Sequence, residues 1–77
     1  MEVVELEVAI EHELNNALKN WPPFNSAHEG YAVLLEEMDE LWVHVMTKQK
    51  NRDLVAMKKE AIQIAAMALA YVIEVCE

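Results

Sequence analysis

The sequence predicts an all-α fold, three helices joined by two short connections, and three observations carry that expectation. Glycine occurs once and proline twice among 77 residues, in a chain rich in Ala, Leu, Glu, Met and Lys, the residue types that lose least on entering a helix. Apolar residues recur at three- and four-residue intervals rather than alternating. Breaking signals fall in two places, "NWPPFN" at residues 20–25 and "KQKNRD" at residues 48–53.

The first helix is expected from about Glu2 to Asn20. Val3, Leu6, Ile10, Leu14, Ala17 and Leu18 share one side, leaving Glu5, Glu11, His12 and Asn15 towards water. Two consecutive prolines, Pro22 and Pro23, then remove amide donors and fix φ, so the helix cannot run through them. Ser26 followed by Glu29 has the S-x-x-E spacing of a capping box, in which each side chain satisfies a free amide of the other residue. A long second helix should follow, to about Lys48 or Gln49. Asn51 or Asp53 is placed to cap a third helix over about Leu54 to Val75. No repeat or low-complexity segment interrupts the pattern, and residues 1–77 read as a single helical domain.

Bulk composition narrows the function classes. The formal net charge is −8, from 14 acids against six Lys and Arg, which disfavours nucleic acid and anionic membranes as partners because both are bound by basic patches. A phosphorylated small molecule stays open where a divalent cation stands between acids and phosphates. The N-terminal "MEVVELEVAI" lacks a basic start and a long apolar core. The most apolar run, Ala61 to Ile73, falls short of the roughly 20 residues that cross a bilayer. A soluble, cytoplasmic protein is expected. Cys76 is the only cysteine and reads as an unpaired thiol of a reducing compartment. A domain this short buries only about 60% of its unfolded surface. With no disulfide and no Cys/His zinc cluster, oligomerisation is the expected remedy.

The segment "LLEEMDELW", residues 34–42, concentrates acids. At about 100° per residue, Glu36, Glu40 and Glu37 fall within one arc of about 100°, which also holds Val33 and His44. Asp39 falls outside it. Leu34, Leu41, Val45, Met38, Tyr31, Trp42, Leu35 and Met46 fill the opposite arc and are expected in the core. An acidic arc opposite an apolar one also describes any solvated surface helix. Two features set this one apart. Its face is not uniformly polar, and like charges a turn apart repel by some tenths of a kcal/mol per pair without a Lys or Arg at i±4. A bound cation would remove that cost.

The third helix is apolar on every side between Ala61 and Ile73 except for Gln63. A helix hydrophobic all round is buried all round, and its alanines at 65, 66, 68 and 70 suit close approach across a subunit interface. Glu60 and Gln63, three residues apart, point the same way from its edge. A buried polar group needs a partner. The Glu36/Glu37/Glu40 stripe on an antiparallel neighbour offers one through a shared metal, and an ordinary interhelical hydrogen bond is the alternative for Gln63.

The paired motifs resemble a known family. "EEMDE" at residues 36–40 is E-E-x-x-E, and about twenty residues later "EAIQ" at residues 60–63 stands where the family has E-x-x-D. Together they look like the MazG-type all-α nucleoside triphosphate pyrophosphohydrolases. "PPFNSAHEGYAVLLEEMDELW" followed by "KKEAIQIAAMALAY" looks like a compact phage- and bacterial-type subgroup of these proteins, over roughly residues 21–75.

The resemblance implies a Mg²⁺-dependent reaction, with Mn²⁺ as an alternative ion, that splits a nucleoside triphosphate between its α and β phosphates into monophosphate and pyrophosphate. It implies a homodimer or homotetramer whose helices complete four-helix bundles, and a part in nucleotide-pool housecleaning. By position, Glu37, Glu40 and Glu60 match the metal-ligating acids. Glu36 matches the leading acid, a candidate for orienting or deprotonating the attacking water. Gln63 departs from the pattern. Its amide oxygen can still ligate Mg²⁺ but carries no charge and accepts no proton, which weakens the metal site and any base role there.

Phosphate and base contacts are expected nearby. Lys48, Lys50, Arg52, Lys58 and Lys59 cluster around the second connection. Arg52 and Lys59 are the candidates for the phosphates, with a solvated helix start as the alternative. Asn25 and His28 are the candidates for the base pocket, ahead of Trp21, Phe24 and Trp42, and His44 is either a hydrogen-bond partner of a ligand carboxylate or an exposed neighbour of Glu40. The competing reading is a catalytically weak or inactive acidic helical oligomer that binds a nucleotide or a protein partner. A coiled-coil adaptor is disfavoured because the third helix lacks an a/d seam with polar flanks.

Overall fold

The computed structural model describes residues 2–77, all in helices, turns and short connections with no strand among them. Helix α1 spans Val3–Asn20, α2 spans Ala27–Met46 and α3 spans Leu54–Tyr71. A 3₁₀ turn, Gln49–Asn51, lies in the second connection, and a π-helical turn, Val72–Cys76, extends α3. No described helix is long and apolar enough to cross a membrane.

The local signals set the boundaries. The Ser26 Oγ accepts the Glu29 amide at 3.0 Å, and the Glu29 carboxylate accepts the Asn25 backbone amide at 2.9 Å, closing the capping box one residue earlier than its usual reach. Asp53, rather than Asn51, caps α3, its Oδ1 accepting the amides of Val55 and Ala56 at 3.1 Å each. Helix α2 stops at Met46, two or three residues short of the expected end. There Arg52 folds back, donating from Nη2 to the Val45 carbonyl at 2.7 Å and from Nε to the Thr47 carbonyl at 3.1 Å. These are carbonyls that a helix end leaves without partners, and the cation complements the negative end of the helix dipole.

Helix α3 is the hub. It packs against both α1 and α2, which barely meet each other. Its alanines make the close approach: Ala66 and Ala70 are 1% and 2% exposed, the only buried apolar side chains among the described residues. At the far end Gly30 lies against the Tyr71 ring, where an added Cβ would stand 2.7 Å from two ring carbons and 3.1 Å from Phe24. The Tyr71 hydroxyl donates to the Ala27 carbonyl at 3.3 Å and its ring tilts against Phe24. The Phe24 amide donates to the Glu74 carboxylate at 2.9 Å. This knot ties the Pro22–Pro23 connection, the start of α2 and the end of α3 together.

Burial corrects one expectation. Tyr31, Leu35, Met38, Trp42 and Met46, assigned to the core by their arc, are all exposed, and so are Leu69, Val72 and Ile73 on the apolar third helix. Three helices in one open layer have too few neighbours to cover every apolar face. The radius of gyration, 13.4 Å, exceeds the roughly 11.5 Å of a compact domain of this length.

Candidate functional site

Helices α2 and α3 bring three carboxylates together. Glu37 and Glu40 come from adjacent turns of α2 and Glu60 from the first half of α3, and one oxygen of each lies within 4.8 Å of the others. Opposed ligands of an ion held at about 2.1 Å stand about 4.2 Å apart, so small side-chain adjustments close these oxygens around one cation. Glu37 and Glu60 are half-buried and Glu40 is exposed.

The electrostatics of the trio is unrelieved. The Oε2 atoms of Glu37 and Glu60 are buried and accept no hydrogen bond, an expensive arrangement for a carboxylate. Burial, followed by the neighbouring charges of Glu40, Glu60 and Glu36, pushes the Glu37 carboxyl above its ordinary value. Glu40 is raised too, first by the hydrogen-bonding approach of the Glu60 carboxyl and then by its charge. A donor set of clustered, partly desolvated carboxylates fits a hard divalent cation.

Beside the trio runs a cleft of about 510 Å³ between α1 and α2, floored by Ala66, Met67 and Ala70 of α3. Glu36, Glu37 and Gln63 line it on one side, Trp21 and Phe24 at its end. Gln63 and Glu36 therefore border the cleft next to the carboxylates. Asp39 and His28 are exposed and do not line it, and His44 is half-buried one turn beyond Glu40.

The other sequence candidates have different surroundings. Asn25 is engaged with Glu29, through its backbone amide and through Nδ2 at 3.0 Å. Arg52 closes the end of α2 as described. Lys59 lines a separate shallow groove between α1 and α3, with Lys58, Glu5 and His12. None of these three borders the cleft.

Helix α1 contributes what sequence reasoning passed over. Glu13, Asn16 and Asn20 form a polar stripe at the cleft wall with Ala17 among them. The signal was present, because these residues repeat at helical spacing beside Ile10, Leu14 and Ala17, on the side of α1 that turns towards α3. Glu74, at the far end of the cleft, was invisible because the π turn sets its direction. Comparison with protein-family models, with curated proteins and with solved structures returns no match.

Proposed function

We propose that the protein is a Mg²⁺-dependent nucleoside triphosphate pyrophosphohydrolase of the MazG-like class. The observation that carries this reading is the convergence of Glu37 and Glu40 with Glu60, two of whose buried oxygens have no donor, at the edge of a cleft within the ~300–1,000 Å³ range of small-molecule sites. The motif resemblance supplies the reaction class.

In this reading Glu37, Glu40 and Glu60 hold the ion and Gln63 offers an uncharged fourth oxygen. A Mg²⁺ ion held there, or Mn²⁺ in its place, would supply positive charge to neutralise the phosphate oxygens of the substrate. Glu36 orients the attacking water and accepts its proton as the bond to the leaving pyrophosphate breaks. Trp21 and Phe24 present apolar ring surface for a nucleobase, and Asn16 and Asn20 present amides for its polar edge.

The chain acts as a homo-oligomer. Its accessible surface of 5856 Å² exceeds by about 1,000 Å² the area of a compact monomer of its 8.8 kDa mass, and large apolar side chains stand exposed on all three helices. A nucleotide-binding oligomer without turnover is the second reading, favoured by Gln63 in place of an acid. Pyrophosphate release from a panel of (deoxy)nucleoside triphosphates, with Mg²⁺ and with EDTA, separates the two. Metal-dependent release is expected. No release with any nucleotide, together with no Mg²⁺-dependent rise in melting temperature, would refute the enzyme.

A further inference from the structure

The strap that closes one end of the cleft, residues 21–25, has every available backbone donor in use. The Trp21 amide donates to the Ala17 carbonyl at 3.0 Å. Pro22 and Pro23 carry no amide hydrogen and hold φ within a narrow range. The Phe24 amide donates to the Glu74 carboxylate at 2.9 Å and the Asn25 amide to the Glu29 carboxylate at 2.9 Å. Two of the three donors therefore meet carboxylates, the stronger class of acceptor. Glu29 lies four residues from its donor, whereas Glu74 reaches the strap from 50 residues away. A segment this fully bonded, with two prolines in it, has little freedom left to lose.

The strap mounts two rings at the cleft. Phe24 is half-buried and backed by Tyr71, with ring centroids 6.3 Å apart. Trp21 also lines the cleft, yet its side chain is 71% exposed. A large ring held by a fixed backbone and left uncovered is a stacking surface formed in advance, and binding a flat ligand there costs little ordering. Glu74 and Glu29 also place negative charge at this end. That charge turns phosphates away from the strap and towards the cation-binding acids, so it sets the direction in which a ligand with a ring and phosphates can lie.

We infer that Glu74 is a positioning residue for ring recognition. It holds the strap through the Phe24 amide, so that Trp21 and Phe24 form a fixed end wall on which a nucleobase stacks. The role rests on the nucleotide reading of the cleft and adds to it a selectivity for ligands that carry a base over those that carry phosphates alone. Glu74 acts through the strap and supplies no proton and no metal ligand.

Binding measurements in Mg²⁺ test this role, with α,β-methylene analogues of the four common nucleoside triphosphates, which resist cleavage, and inorganic tripolyphosphate as the base-free probe. A Trp42→Phe background leaves Trp21 as the one tryptophan, so its fluorescence reports on the strap. At least one analogue should bind on the order of 10-fold tighter than tripolyphosphate and quench Trp21. Glu74→Ala should bring that analogue down to the affinity of tripolyphosphate, abolish the quenching and leave tripolyphosphate binding unchanged. Glu74→Gln, whose amide oxygen still accepts from Phe24 without the charge, should fall between the two. A chain that binds neither probe overturns the nucleotide reading and this role together. Analogues that bind no tighter than tripolyphosphate keep the phosphate site and overturn the stacking wall. Equal weakening of both probes by Glu74→Ala makes the residue merely structural, and a Glu74→Gln as damaging as Glu74→Ala makes its charge act on the ligand directly; either overturns positioning. Where Glu74→Ala shows no melting transition, Glu74→Gln decides, and an unchanged ratio of analogue to tripolyphosphate affinity overturns the inference.

Discussion

Glu29 and Glu37 stand on the same helix, two turns apart, and meet opposite fates. At the start of α2 both oxygens of Glu29 accept hydrogen bonds from Asn25, and these bonds hold its carboxyl below the ordinary value even though the side chain is exposed. In the middle of the helix Glu37 is half-buried among Glu36, Glu40 and Glu60, with one oxygen lacking a donor and its carboxyl pushed up. The first acid is spent on closing a helix end. The second keeps an oxygen without a protein partner, the feature on which the proposed ion site rests.

That contrast predicts different consequences for substitution. The largest is expected for Glu37→Gln, which should abolish the Mg²⁺-dependent rise in melting temperature and lower pyrophosphate release beyond the ~10–100-fold typical of residues that only support a ligand. Its melting temperature in EDTA should hold or rise, because a repulsive, half-buried charge disappears. A collapse of the EDTA melting temperature would make Glu37 a structural acid like Glu29 and erase the contrast. At the well-satisfied end, Gly30→Ala drives a methyl into the Tyr71 ring and should cost about 1–3 kcal/mol in urea unfolding. Ser26→Ala removes the cap on the Glu29 amide and should cost about 1 kcal/mol by the same measurement. Neither should change the Mg²⁺ dependence.

The smallest effect is a pH dependence with a sign change, read from melting temperatures in EDTA. Glu37 and Glu40 bind protons more tightly in the fold than in the unfolded chain, so their contribution is fully present below the ordinary carboxyl value of 4.5 and is lost as pH rises through their raised folded values. Glu29 behaves oppositely. Its contribution is present above 4.5 and lost as pH falls through its lowered folded value. Stability should therefore decline on both sides of the region around pH 4.5. Glu37→Gln should flatten the alkaline limb and Glu29→Gln the acid limb. A curve in which neither variant alters its own limb would remove the electrostatic basis of the comparison.

Much of this arrangement was legible before any coordinates, for a physical reason. Caps, prolines and helical periodicity are local, so Ser26, the Pro22–Pro23 stop and the three helices could be read from neighbours in sequence. The separation of Asp39 from the other three acids followed from helical geometry alone. Long-range choices were not legible in the same way. Periodicity marks Trp42 and Leu35 as apolar-face residues but cannot say whether α1 reaches them, and in the open layer around α3 it does not. Arg52 looked like a free cation because the carbonyls that hold it belong to the end of α2, a boundary displaced from its expected position. The trio's neighbourhood was partly legible: the family resemblance singled out Glu37, Glu40 and Glu60, whose carboxylates do lie together, while the cleft beside them needs the crossing angle of α1.

The π turn at Val72–Cys76 has a consequence for the cleft. A π turn accommodates an extra residue within the helical path, and here the widened turn is what carries Glu74 round to the Phe24 amide. Replacing Glu74 with Gln would keep the turn and remove the charge that the Phe24 amide meets, loosening the connection that carries Trp21 and Phe24. One hydrogen bond from the end of the chain's last helix thus helps fix where the two aromatic rings of the cleft stand.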